Sequence, residues 1–222
     1  MNDKQVVKEY FNNLGFERWS RIYGAGTVSK VQQDIRDGHQ QTIAYVLAWF
    51  KPVCPGLTVC DAGCGTGSLS LPLAQMGMRV FASDIAEKMV AEAQRQAIDP
   101  ENPQFQVCDL TDLSGSYHTV VCLDVMIHYP ETELAGLISH LASLASDRLI
   151  ISFAPKNLYY TLLKKVGESF PGASKTTRAY LHPESRVRAL LQDLGFQITR
   201  QEFTATQFYF SRLLEAVRSD KA

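Results

Sequence analysis

The segment Val59-Cys60-Asp61-Ala62-Gly63-Cys64-Gly65-Thr66-Gly67 joins a short apolar run to a stretch of helical pattern. A strand that ends in Asp-x-Gly-x-Gly-x-Gly and turns into a helix is expected to present bare backbone N–H groups, which stabilise a negatively charged ligand group. Gly63, Gly65 and Gly67 let a ligand approach the backbone closely, because no Cβ stands in the way. Alone, the pattern is weak: dinucleotide-binding enzymes carry G-x-G-x-x-G, and Ser68 stands where that motif has its third glycine. Acidic residues narrow the choice. Asp84 ends the next β-rich run, where a carboxylate can accept both hydroxyls of a ribose, and Asp109 ends the run after that. Ligands of open α/β sheets sit outside the carboxyl ends of the strands, so Asp61, Asp84 and Asp109 are expected to border one crevice. Asp84 and Asp109 could instead merely cap helices. Their coincidence with Asp61 and the glycines favours a nucleoside site.

These residues need strands to carry them. From Leu57 onward, β-rich apolar runs alternate with longer helical stretches, the pattern of a parallel sheet covered by helices. Strands are expected over 57–62, 79–83, 105–108, 119–125 and 148–153. Helices are expected after the glycine turn, carrying Leu69, Leu71, Leu73 and Ala74, and over 85–97 and 131–145. The run 119–125 is almost continuously apolar, as suits a central strand buried on both faces. After Pro155 the rhythm breaks: 157–170 reads as an inserted helix and 171–178 as a polar loop, and such an insertion often covers a site. A helix over 183–194, closed by Gly195, precedes two β-rich runs, 196–204 and 208–214, which can pair as an antiparallel hairpin at the sheet edge. Ahead of the first strand, helices over 6–12 and 31–50 are joined by the aromatic and basic stretch 16–24. The expected organisation is a helical N-terminal arm, 1–56, packed on an α/β core, 57–222, with a small helical lid inserted at about 156–180.

Composition excludes several classes. At 222 residues, 45% hydrophobic and 20% charged, the chain is ordinary globular material. A net charge of -1 with no concentrated basic stripe argues against nucleic acid as a substrate. No apolar run reaches the roughly 18 to 20 residues that span a bilayer, and the polar start lacks a signal-peptide core, so a cytoplasmic protein is expected. The five cysteines, Cys54, Cys60, Cys64, Cys108 and Cys122, read as free thiols in a reducing compartment. Cys60 and Cys64 are spaced C-x3-C, but no second pair stands at zinc-finger distance and no protein metal site is expected.

The glycine segment and its acidic partners resemble the class I S-adenosylmethionine-dependent methyltransferases. The resemblance implies a Rossmann-like α/β fold: a seven-stranded, mostly parallel sheet with an antiparallel C-terminal hairpin and helices on both faces. It also implies that Gly63, Cys64, Gly65 and Gly67 line the methionine part of S-adenosylmethionine, and that Asp61 faces its ammonium. Asp84 and Ile85 would hold the ribose, Asp109 and Leu110 would meet the adenine, and Leu123 would complete the contacts. S-Adenosylhomocysteine would be the product.

The arm narrows the family further. Tyr10-Phe11-Asn12, Arg18-Trp19, Arg21-Ile22-Tyr23-Gly24 and Gly38-His39-Gln40-Gln41-Thr42 are similar to the arm of the magnesium-protoporphyrin IX methyltransferases. Leu123-Asp124-Val125-Met126-Ile127-His128-Tyr129-Pro130 and Phe208-Tyr209-Phe210-Ser211-Arg212-Leu213-Leu214 fit the same family. That resemblance implies methyl transfer to one propionate of the magnesium porphyrin in chlorophyll or bacteriochlorophyll synthesis. Magnesium would arrive already inside the porphyrin, with His39, His128 or a water as its axial ligand. A porphyrin is a flat apolar ring with carboxylates at one edge, which aromatic side chains can cover and an arginine can hold. Phe16, Trp19, Ile22, Tyr23, Leu158, Tyr159, Tyr160 and Phe170 are candidates for the cover, and Arg212 for a carboxylate contact. Tyr23 and His128 are the expected catalytic pair, orienting the carboxylate. His39 has no clear claim to catalysis. Expected partners are the porphyrin and the porphyrin-binding subunit of the magnesium chelatase, with the chain a monomer and its membrane contact at most peripheral. The rival readings are a methyltransferase for another small acid or phenol, such as a quinone precursor, and a porphyrin carrier without catalysis.

Overall fold

The computed structural model describes residues 3–23, 26–51, 55–156 and 179–219. Among these, seven strands form one sheet in the order β3-β2-β1-β4-β5-β7-β6. The strands are β1 (Thr58–Ala62), β2 (Arg79–Asp84), β3 (Gln104–Val107), β4 (Tyr117–Cys122), β5 (Ala145–Phe153), β6 (Phe196–Ala205) and β7 (Phe210–Arg218). The first five run parallel, and β7 lies antiparallel between β5 and β6. The expected Rossmann-like sheet with a C-terminal hairpin is therefore present. The order reverses between β1 and β4, and in open sheets that switch point is where a ligand crevice forms.

Helices pack on both faces. α3 (Lys30–Phe50) and α4 (Ser70–Gln75) cover one face through Ile43, Val46, Trp49, Phe50 and Leu73. On the other, α6 (Glu131–Leu144) and α7 (Glu184–Asp193) bury Leu137, Ile138, Leu141, Val187 and Leu191. α5 (Glu87–Gln96) packs on β2 and β3.

Several boundaries differ from those expected. Residues 16–23 are no simple connector: they belong to α2 (Leu14–Tyr23), which follows α1 (Asp3–Asn12). Its last carbonyls are closed from outside, because the buried Arg36 guanidinium donates to the carbonyls of Arg21, Ile22 and Gly26 at 2.6–2.9 Å. Gly15 fits against the Tyr10 ring, where a Cβ would lie 2.6 Å from the ring edge. β4 ends at Cys122 rather than Val125, because Asp124 adopts a φ of 57° and leaves the extended conformation. β7 starts at Phe210 rather than Phe208. The intervening turn is tied to the arm by Asp34, which accepts from Thr206 Oγ1 and the Phe208 N–H. The expected lid helix and loop lie outside the described residues.

Candidate active site

The carboxyl ends of β1, β2 and β4 open onto one cavity. The glycine loop supplies Asp61, Gly63, Cys64, Gly65, Ser68 and Leu69; β2 and α5 supply Asp84, Ile85 and Met89; the end of β3 supplies Cys108 and Leu110. The segment after β4 adds Leu123, Asp124, Val125, His128 and Tyr129, and the arm adds Phe11, His39 and Ile43.

Four amides of the glycine loop are engaged within the chain rather than bare. The N–H groups of Gly63 and Cys64 donate to the Ser83 carbonyl at 2.8 and 2.9 Å, that of Gly65 to Asp84 Oδ2 at 3.0 Å, and that of Gly67 to the Cys64 carbonyl at 2.9 Å. These bonds fold the loop back on β2, so what it offers a ligand is a backbone surface free of side chains. Gly63 shows the need most clearly: at φ 89° its Cβ would lie 2.2 Å from Val125 Cγ2. Gly67 faces elsewhere. Its Cβ would meet Ala93, Leu71 and Phe105 at 3.2–3.3 Å, so it packs the loop against α5 and β3 and does not line the cavity.

Three carboxylates line the site. Asp61 is buried and accepts from Ser70 Oγ; burial pushes its carboxyl up to about 6, Ser70 restrains the rise, and the charge of Asp84 adds to it. Asp84 accepts from the N–H groups of Gly65 and Ala86, and burial also raises it. Asp124 was missed in the sequence because it sits in a run that reads as strand. Its carboxylate receives His39 Nδ1 at 2.8 Å, Tyr209 Oη at 2.9 Å and Ser152 Oγ at 3.1 Å. Burial pushes Asp124 up too, but these donors outweigh it and the carboxyl lies below the usual value. Asp109 takes the bland role: its Oδ1 accepts from the Thr111 N–H and hydroxyl, capping a short helical turn, while its neighbours Cys108 and Leu110 face the cavity.

His128 stands on the β4 rim. Burial lowers its imidazole to about 4, so the ring is neutral at pH 7. Its Nδ1 is buried with no hydrogen-bond partner among the described residues. Phe11 packs edge-on to it at 5.5 Å, and Trp19 lies 6.4 Å beyond Phe11. Trp19 thus reaches the rim through Phe11 without lining the cavity. Ile22 and Arg212 depart from the expected substrate contacts. Ile22 is fully buried inside the arm, and Arg212 pairs with Glu184 at 2.9 Å and stacks on Phe203. Tyr159 lies outside the described residues, and only the backbone of Tyr23 is described, at the end of α2.

A cavity at a topological switch point, with a side-chain-free backbone wall, carboxylates at three strand ends and apolar flanks at Met89 and Leu110, fits an adenosyl amino acid. A family model described as the magnesium-protoporphyrin IX methyltransferase C-terminus matches residues 122–218, and a methyltransferase-domain model matches residues 59–147. The magnesium-protoporphyrin O-methyltransferase of Synechocystis is 58% identical over 99% of this chain and 98% of its own. The chain belongs to the magnesium-protoporphyrin O-methyltransferase family. A second relative, the chloroplastic magnesium protoporphyrin IX methyltransferase of Arabidopsis thaliana, is 55% identical over 97% of this chain and 71% of its own. The crystal structure of magnesium protoporphyrin IX methyltransferase from Synechocystis with bound SAH superposes with a TM-score of 0.89 at 57% identity, covering 98% of this chain and 100% of that one. Within this family fold, the cavity described above occupies the strand ends where class I methyltransferases are expected to hold their cofactor.

Proposed function

We propose that the chain transfers the methyl group of S-adenosylmethionine to a propionate carboxylate of magnesium protoporphyrin IX, forming the monomethyl ester in chlorophyll or bacteriochlorophyll synthesis. The observation that carries this reading is the wall facing the cofactor cavity: a buried, neutral His128 backed by Phe11 and Trp19 of the arm, an apolar rim with one polar group for a flat acid.

When bound, the cofactor supplies an electrophilic methyl group on a sulfonium. Asp84 with Ile85 would hold its ribose, Cys108, Met89 and Leu110 would flank its adenine, and Asp61 would meet its ammonium, with Leu123 on the β4 side; all of these residues line the cavity. A propionate is already ionised near neutral pH, so no strong base is required. His128 then has an orienting task. A neutral imidazole can hydrogen-bond one carboxylate oxygen without drawing charge from the other as an imidazolium would. Tyr23 acts with it, and Trp19 and Tyr159 cover the ring. Holding oxygen, carbon and sulfur in line contributes several kcal/mol, on the order of what proximity effects supply. Residues 1–56 act as an arm and 156–180 as a lid over the porphyrin, and magnesium enters as part of the substrate.

The purified chain, incubated with labelled cofactor and magnesium protoporphyrin IX, should yield a labelled porphyrin monoester by chromatography. Labelling of a catechol in preference to the porphyrin would favour the quinone-precursor rival, and no transfer with porphyrin bound would leave a carrier. Among the described residues no helix is long and apolar enough to cross a membrane. The apolar product is better handed on than released, so the reading includes a monomer that receives porphyrin from the chelatase's porphyrin-binding subunit at a membrane surface. Sedimentation with and without that subunit tests it.

A further inference from the structure

His128 rides on a short helical turn, Met126–His128, whose residues face two ways. Val125, His128 and Tyr129 line the cavity, whereas Met126 is fully buried in the core on the α6 side. The turn closes through the His128 N–H on the Val125 carbonyl at 2.9 Å and the Tyr129 N–H on the Met126 carbonyl at 3.1 Å. Bonds within so short a turn set its shape but not its place on the sheet. A grip from outside comes from residues 180–182, just ahead of α7. The Tyr180 N–H donates to the Ile127 carbonyl at 2.7 Å, and His182 Nε2 lies 2.9 Å from the Met126 carbonyl.

His182 is itself held on both sides. Its N–H donates to the Ala154 carbonyl at 2.9 Å and its carbonyl accepts from the Lys156 N–H at 2.8 Å, a parallel bridge to Pro155 just past β5. Pro183 then begins α7, which is anchored in the core by Val187 and Leu191. The side chain has no exposed surface. A carbonyl only accepts, so the bond to Met126 requires the proton on Nε2. Nδ1 is then a bare acceptor, buried and without a hydrogen-bond partner among the described residues. Burial lowers the imidazole, the Met126 bond opposes the fall, and the ring is neutral at pH 7. A buried histidine with one nitrogen unpaired is a poor source of stability, because the unsatisfied atom offsets the bond that the other nitrogen makes. What it does fix is the position of the Met126 carbonyl, and through that turn the direction of His128.

We propose that His182 is a positioning residue for methyl transfer: its Nε2–H, together with the Tyr180 amide, holds the Met126–His128 turn so that the His128 ring faces the substrate carboxylate. This rests on the orienting role given to His128 above. It ties the rim of the cavity to the junction of β5 and α7, on which neither the cofactor motif nor the arm bears.

Steady-state kinetics test it. His182→Leu keeps much of the volume and removes the donor. It should lower kcat by about tenfold or more, since a misplacement on the order of 1 Å can cost about 10²-fold, while KM for magnesium protoporphyrin IX and affinity for S-adenosylhomocysteine stay near those of the unaltered chain. His182→Gln, whose amide can donate from a similar place, should restore most of the turnover. In a His128→Ala background, His182→Leu should cost nothing further, because the group it positions is gone. A further loss there as large as in the unaltered background, or a glutamine variant as slow as the leucine one, would overturn the positioning role. Full turnover in His128→Ala alone would overturn the orienting role of His128 and this proposal together. A loss in His128→Ala with full turnover in His182→Leu would overturn this proposal alone. Should the leucine variant not fold, the imidazole nitrogen NMR spectrum of the unaltered chain decides: an Nε2–H tautomer at His182 supports the bond to Met126, and an Nδ1–H tautomer overturns it.

Discussion

Asp61 near the end of β1 and Asp124 just past the end of the neighbouring β4 face the same cavity, yet their carboxyls move in opposite directions. Burial pushes both up. Asp61 has one side-chain donor, Ser70, nine residues on at the start of α4, and it rises to about 6. Asp124 gathers donors from α3, β5 and the hairpin, and it falls. The number and reach of the donors therefore decide the outcome, rather than depth alone. The β1 carboxylate faces the cavity with a single side-chain donor. The β4 carboxylate is already engaged in holding the arm and hairpin to the core.

The largest effect should come from Asp124→Ala, which strands His39 and Tyr209 around a hole. A loss of about 3–5 kcal/mol is expected, the range for breaking a buried hydrogen-bonded network built around a charge, with the arm cut faster by protease. Asp61→Ala at pH 7 should cost far less, because it deletes a carboxylate whose ionisation is already disfavoured. Denaturant melts of the two variants check this, and equal losses would break the contrast.

Next come two glycines of the same loop. Gly63→Ala must relieve the clash with Val125 at a positive φ and should cost about 2–4 kcal/mol. Gly65 has a φ of 53° with nothing within 4 Å of its Cβ position, so Gly65→Ala should cost about 1 kcal/mol, the backbone preference alone. Thermal shifts that rank the two the other way would mean that the β4 rim gives way more readily than its packing implies.

The sheet was legible in the sequence because each strand and its following helix are encoded locally, by apolar runs and glycine turns. The loop, Asp61 and Asp84 shared that advantage. What escaped was decided by distant partners. α2 closes through Arg36, 14 and 15 residues on, and Asp124 draws its donors from positions 28 and 85 residues away. Arg212 was a reasonable candidate to hold a carboxylate, but the carboxylate it meets is Glu184 of its own chain. Gly67 and Asp109 fit the motif by spacing, and their neighbours turn them to packing and capping.

His128 sharpens the contrast between a group that binds and one that orients. His128→Ala should lower kcat by about 10²-fold, the penalty for a misplaced reacting group, while the affinity for S-adenosylhomocysteine stays near that of the unaltered chain. A parallel fall in both would assign the histidine to cofactor binding or folding. With its imidazole at about 4, turnover should show no step from this residue between pH 6 and 8.

The smallest expected effect is the pH dependence that Asp61 imposes on cofactor binding. In the folded chain without ligand its carboxyl lies at about 6, above the ordinary 3.8, so the folded state keeps a proton that the unfolded chain has released. Between about pH 4 and pH 6 the unfolded state binds fewer protons, and this group therefore lowers stability as pH rises. Binding of an ammonium runs the other way. It requires the carboxylate, so affinity should climb as Asp61 ionises and level off above about pH 7, a gain of about tenfold from pH 5 to pH 7 for one group at about 6. Asp84, raised by burial, adds a change of the same sign if ribose hydroxyls favour its ionised form. Asp61→Asn keeps an acceptor for Ser70 and removes the titration, so titrations of S-adenosylhomocysteine from pH 5 to 8 should show a flatter profile in the variant. A profile that stays as steep would transfer the dependence to Asp84, and Asp61 would then be no more open to the ligand than Asp124.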